Sequence, residues 1–158
     1  MAAGFVVKSG AAATALAAAT AKTIVNCISG TRALILTEFG VSFDGVTASA
    51  VPVLIELCSC TQGAAGTPGA SPTPLPIRPL DGAAAIFTAG NDYSAEPTTI
   101  VPIKHWLLTP NGGVLVIQFP LGREMWGSVT AATAGKGMLL RLTAPAVVNA
   151  RAYMEVEE

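Results

Sequence analysis

Charge is what this sequence has least of. Only 12% of its 158 residues are charged against 51% hydrophobic, and nine Lys and Arg against ten Asp and Glu leave a net charge of −1. Such a balance offers no electrostatic footprint for nucleic acid. It is also a poor surface for a free monomer, and burial against other chains accounts for the missing charge. Histidine is almost absent, His105 being the only one, so a metal enzyme with several His ligands and a carboxylate is excluded on inventory. Long apolar runs are missing too: Pro52 and Glu56 interrupt the best candidate for the roughly 18 residues a transmembrane helix requires. At the N-terminus Lys8 follows Phe5-Val6-Val7 instead of preceding it, so no export signal is expected and cytoplasmic synthesis follows. Cysteine is scarce and odd in number, with Cys27, Cys58 and Cys60. In a chain without an export signal these are expected to be buried free thiols. On one strand Cys58 and Cys60 point the same way, a separation poorly suited to a mutual disulfide.

What is present is a succession of short β-patterned segments. Residues 1–22 hold two alanine triplets and, after Val7, only Leu16 as a large apolar residue, which gives no amphipathic helix. They are expected to form an Ala-rich arm that orders on a neighbouring subunit. From residue 23 strands follow: 23–29 and 32–39 at hairpin-like spacing, 41–43 past a bulge at Gly40, and 51–60 with Pro52 near its start. Phe39, Val41 and Phe43 share a face and read as core, while Glu38, Ser42 and Asp44 read as solvent or subunit contacts. Asp44-Gly45 is a turn pair. Residues 61–79 abandon periodicity for Gly and Pro, an extended loop that cannot enter a sheet and would lie across a neighbour.

A weak strand at 83–88, a polar loop at 90–97 and the apolar stretch 100–120 follow. The last has turn residues Pro110-Asn111-Gly112-Gly113 at its centre and reads as a hairpin. A two-residue turn sets Trp106 opposite Ile117; a type I turn with a glycine bulge, the favoured reading, sets it opposite Val116. Residues 125–131, 138–143 and 146–156 close the chain, with turn residues Gly135-Lys136-Gly137 between the first two. The final run alternates Val148, Ala150, Ala152 and Met154 against Asn149, Arg151, Tyr153 and Glu155. About nine short strands separated by Gly/Pro turns predict an all-β chain: an antiparallel β-sandwich, jelly-roll-like, with an immunoglobulin-like sandwich as the alternative. Residues 23–158 form its single domain.

Chemistry-bearing groups are few. His105 has no positioned partner or nucleophile motif and reads as a satisfied structural histidine. Asp81, Asn91, Asp92 and Glu96 are clustered oxygen ligands without the alternation of a calcium loop and read as solvated carboxylates. Glu38 and Glu56 form a glycosidase pair only if their strands bring them together. Trp106, Trp126, Tyr93 and Tyr153 could stack on sugars if exposed, but core or interface packing is the better reading. No catalytic, cofactor or metal site is assigned, no small-molecule substrate is expected, and the chain is read as non-enzymatic.

Three segments, GTRALILTEFGVSFDGV, PTTIVPIKHWLLTPNGGVLVIQFPLGRE and VNARAYMEVEE, resemble parts of small structural proteins of tailed bacteriophages that coat or cement the head. The resemblance runs from about residue 23 to the end and rests on packing and turn motifs. It implies a β-rich capsid-decoration protein, often trimeric, bound at symmetry axes of a major capsid protein lattice on the virion surface. An arm or loop holding neighbouring subunits is implied as well, and no catalytic residue is carried over. The expected partners are therefore further copies of the chain and a capsid protein, without nucleic acid, membrane or cofactor. The expected interface residues are Phe5, Val6, Val7 and Leu16 in the arm and Pro68, Pro72, Pro74, Leu75, Ile77 and Arg78 in the loop. A glycan- or host-receptor-binding jelly-roll module, or a tail-associated protein, is the alternative.

Overall fold

The structure, a computed structural model, describes residues 3–44, 51–61, 66–78, 84–111, 113–127 and 136–158. The strands are β1 (Gly4–Lys8), β2 (Thr14–Leu16), β3 (Ala21–Ile28), β4 (Leu34–Phe43), β5 (Val53–Thr61), β6 (Leu75–Pro76), β7 (Thr88–Asn91), β8 (Ile100–Leu108), β9 (Val114–Gln118), β10 (Met125–Gly127), β11 (Lys136–Thr143) and β12 (Val148–Glu157). They form two antiparallel sheets packed as a sandwich. The first runs β10-β4-β12-β1-β6, with β9 also on β4 and β2 also on β12; the second runs β7-β3-β11-β5-β8. The last two strands, β11 and β12, thus fill the middle of the two sheets.

Alternation explains the core. In β12, Val148, Ala150, Ala152, Met154 and Val156 are all buried, as a half-covered strand requires. In β4 the pairing slips: Glu155 faces Glu38 while Val156 faces Leu36. Thr37 is therefore the bulged residue, and the slip turns both Leu36 and Phe39 inward. Gly40, expected to be the bulge, sits in register opposite Tyr153. Phe39 packs against Trp106 at 5.2 Å and Phe119 at 6.2 Å between ring centroids. A smaller cluster of Cys58, Cys60 and Leu139, with Ile100 against it, lies apart from the main core. All three cysteines are buried free thiols, as expected.

Several local readings are corrected. The N-terminal segment is not an arm: β1 pairs with β12 over five residues and β2 with β12 over three. Phe5, Val7 and Leu16 are consequently buried in the chain's own core. Alternation over a few residues suffices because β12 supplies the ladder and the segment leading into β7 an apolar partner, Phe87, whose ring meets Phe5 edge-on at 5.7 Å. The proline-rich loop does enter a sheet, where Leu75-Pro76 pairs with Val6 and Phe5 at the edge beside β1. A proline is tolerated there because the missing N–H faces outward. Its bridges from Thr67 to Ala95 and Ala70 to Asn91 hold it across its own domain instead of a neighbour.

The segments at 23–29 and 32–39 do not form a hairpin, since β3 and β4 belong to different sheets. Nor do β8 and β9. Trp106 is opposite Ile55 and His105 opposite Glu56, while Val116 is opposite Gly40 and Ile117 opposite Phe39. The connection turns a corner between sheets, which lets Trp106 and Leu108 from one sheet and Leu115 and Ile117 from the other pack on the same core. The expected strand at 83–88 lies later, at Thr88–Asn91, so Gly90 and Asn91 end a strand instead of opening a loop. Lys136 and Gly137 likewise begin β11 instead of turning the chain. Gly45, Asp81, Gly112, Gly135 and residues 128–131 lie outside the described residues.

Candidate functional site

The outer face of the first sheet carries polar side chains arranged around a depression. Cross-strand pairing sets these side chains in rows, because opposite residues share a face. Val116, Gly40, Tyr153 and Lys8 make one row, Gln118, Glu38, Glu155 and Val6 the next, and Val114, Ser42 and Arg151 a third. Gly40 is the gap in the first row. A Cβ there would lie 2.2 Å from Tyr153 Cε1, so the phenol ring lies against bare backbone. The result is a groove of about 460 Å³ walled by Val114 and Val116 on one side and by Val6 and Lys8 on the other.

The Tyr153 hydroxyl donates to Glu38 Oε1 at 2.5 Å. Burial, and then that bond and the charge of Glu38, push the phenol up to about 12. Glu155 is held above the ordinary carboxylate range by burial and then by Glu38 beside it. A phenol held neutral, with its proton already engaged, is a binding group and not a nucleophile. Two carboxylates at one end of the groove and Lys8 and Arg151 in the neighbouring rows give it polar edges of both signs.

The outer face of the second sheet is polar but closed on itself. Arg141 Nε donates to Glu56 Oε2 at 2.8 Å, and the Thr23 N–H and hydroxyl donate to the two oxygens of Glu96 at 2.6 and 2.5 Å. Asn26 Nδ2 donates to the Tyr93 hydroxyl at 3.0 Å, and Asn26 Oδ1 accepts the Cys60 thiol proton at 3.6 Å. Burial pushes the Cys58 thiol up to about 12 and raises Cys27 as well, so neither serves as a thiolate nucleophile. Satisfied networks of this kind fix a structure.

Glu38 and Glu56 project from the outer faces of opposite sheets and form no pair. Asn91 Nδ2 donates to the Lys8 carbonyl, Asp92 pairs with Lys22 and Glu96 with Thr23. His105 is exposed on β8 opposite Glu56 and is not buried in the scaffold. Trp106 packs on the core, and Trp126 lends its backbone to β10 while its side chain lies outside what is described. Of the expected interface residues, Phe5, Val7 and Leu16 are internal, whereas Val6, Leu75 and Ile77 meet at the edge formed by β1 and β6. Pro68, Pro72 and Pro74 are half-buried and line a hollow with Phe87 and Tyr93, and Arg78 is exposed.

The sequence reading missed a second surface. Val101, Ile103 and Leu107 on β8 are 54%, 43% and 68% exposed, and Val114 and Val116 on β9 are 66% and 51% exposed. The two strands form one side of the sandwich, tied together by Trp106 against Phe39 and by Lys104 Nζ 5.0 Å from the Phe119 ring centroid. Alternation alone marks Val114 and Val116 as outward-facing, but their runs of apolar residues read as core. No family model, curated protein or solved structure matches the chain.

Proposed function

We propose that this chain is a non-enzymatic structural subunit of a virion, which binds and stabilises a phage capsid lattice as a decoration or cement protein and associates with copies of itself, as a trimer in the resemblance described above. The observation that carries the proposal is the exposed apolar side formed by β8 and β9. Large apolar side chains standing in water on a chain with so few charges are the mark of a surface covered in the working assembly. Some of the polar groups support the same reading, since Glu56 with Arg141, Glu96 with Thr23 and Asn26 with Tyr93 are engaged in structural networks. The arm no longer contributes to it, because β1 and β2 belong to the subunit's own sheet. The contacts to other molecules fall instead on the β8–β9 side and on Leu75 and Ile77.

Mixing the purified chain with undecorated heads is expected to give stoichiometric binding and heads more resistant to heat. Failure to bind any head lattice overturns the capsid reading. A second reading, a glycan-binding module, is favoured by the groove around Tyr153, where an aromatic ring is flanked by carboxylates and cations. A glycan-array signal lost on Tyr153→Ala would promote it over the first.

A further inference from the structure

We infer that β9 is the edge through which two copies of this chain join, pairing antiparallel with β9 of a second copy about a two-fold axis at Val116. The inference rests on the self-association part of the proposed function and is independent of the capsid.

Open strand edges attract further strands, and folded proteins blunt them with charge, proline, bulges, shortness or a covering loop. Five of the six edges among the described residues are blunted, β2 by having only three residues. At β7 the Asn91 and Ala70 backbones bond to each other, at 2.9 and 3.4 Å, so the loop covers it. Strand β6 has two residues, one of them Pro76, and β10 has three. Strand β8 is long but carries Pro102, a slip of register that leaves Ile103 unpaired, and then Lys104 and His105. Strand β9, Val-Leu-Val-Ile-Gln, has no charge, proline or glycine, and among the described residues it pairs only with β4.

The backbone of β9 is set for a partner. The Phe119 N–H donates to the Thr37 carbonyl at 2.8 Å, which makes Gln118 and Glu38 a pair without mutual hydrogen bonds. Alternation along the ladder then turns the N–H and C=O groups of Leu115 and Ile117 toward β4 and those of Val114, Val116 and Gln118 away from it. Centring the two-fold on Val116 uses all of these outward groups: Val116 pairs with its own copy and Val114 with Gln118. No like charges meet anywhere in that register. A second copy is the occupant that matches, because the strand is complementary to itself and the exposed Val114 and Val116 of one copy then stand beside Gln118 and Val116 of the other on one shared face. The pairing relates two copies and is distinct from a three-fold contact.

The buried state of the three native thiols permits a direct test on the full chain with one added cysteine. In the inferred register two Val116→Cys residues face each other with Cα atoms about 5.5 Å apart, within disulfide range. Two Val114→Cys residues lie four positions out of step, about 13 Å apart, beyond it. Mild oxidation should convert Val116→Cys to a covalent dimer on a non-reducing gel and leave Val114→Cys monomeric. Equal cross-linking of both, or none at Val116, overturns the inference. Val116→Pro removes an outward N–H without touching the bonds to β4, and it should abolish the dimer in sedimentation. If that variant does not fold, the cysteine pair alone decides. A chain that binds heads but gives no Val116→Cys dimer loses only this contact; one that gives the dimer but binds no head loses only the capsid reading.

Discussion

At the scale of single residues, Gly40 and Tyr153 depend on each other. Any side chain at Gly40 displaces the ring that lies against it, so Gly40→Ala should destabilise by roughly 1–3 kcal/mol, as overpacking does. Urea unfolding checks this, and Gly40→Ala combined with Tyr153→Ala should recover much of the loss. The phenol also sets a pH window. Its folded value near 12 lies above the ordinary 10, so the unfolded chain releases this proton first. The stability it contributes is present below pH 10 and is lost as pH rises toward 12. Spectrophotometric titration should find both tyrosines raised, Tyr93 by burial and Tyr153 toward 12, and Tyr153→Phe should remove the second and its part of the alkaline loss. Thiol accessibility is a separate check: the native protein should be inert to a thiol reagent, and all three cysteines should react on unfolding.

At the scale of elements, the N-terminal segment separates two views of the molecule. An arm ordering on neighbours would tolerate loss of Phe5 in the isolated chain. As a core residue of β1, 1% exposed, Phe5 should cost about 3–5 kcal/mol on replacement by alanine, measured by denaturant unfolding of dilute protein. The strands themselves were legible where alternation is strict. Residues 148–156 announce their buried face, and Phe39, Val41 and Phe43 announce theirs. Pairing was not legible. A turn sequence such as Pro110-Asn111-Gly112-Gly113 states that the chain bends, but whether the strands then share a sheet depends on where both apolar faces find cover. In β8 and β9 they find it across the sandwich. The short β1 and β2 were hidden for the same reason, their ladder being supplied by a strand more than a hundred residues away. The Tyr153–Glu38–Glu155 group was half visible: Tyr153 and Glu155 share a face by alternation, but Glu38 reaches them only through the pairing of β4 with β12.

At the scale of the whole molecule, exposed apolar side chains gather on the two strands at one side of the sandwich, Val101, Ile103 and Leu107 on β8 and Val114 and Val116 on β9. Low charge was visible in the composition, but the place of the exposed apolar surface was not, because Leu107, Val114 and Val116 belong to runs that look like core. The consequence is an association that responds to changes at that side and to little else. Lysine at Leu107 or Val116 should weaken it while leaving the far-ultraviolet circular dichroism unchanged, since both side chains are exposed in the single chain. Changes at the second sheet's outer network, such as Glu56→Gln, should lower stability without altering the associated state. The most direct measurement is sedimentation of the full chain over a range of concentrations beside Val116→Lys. Oligomers in the first and monomers in the second are the expected result. A native chain that stays monomeric at every concentration, or a variant that associates as strongly as the native chain, would contradict it.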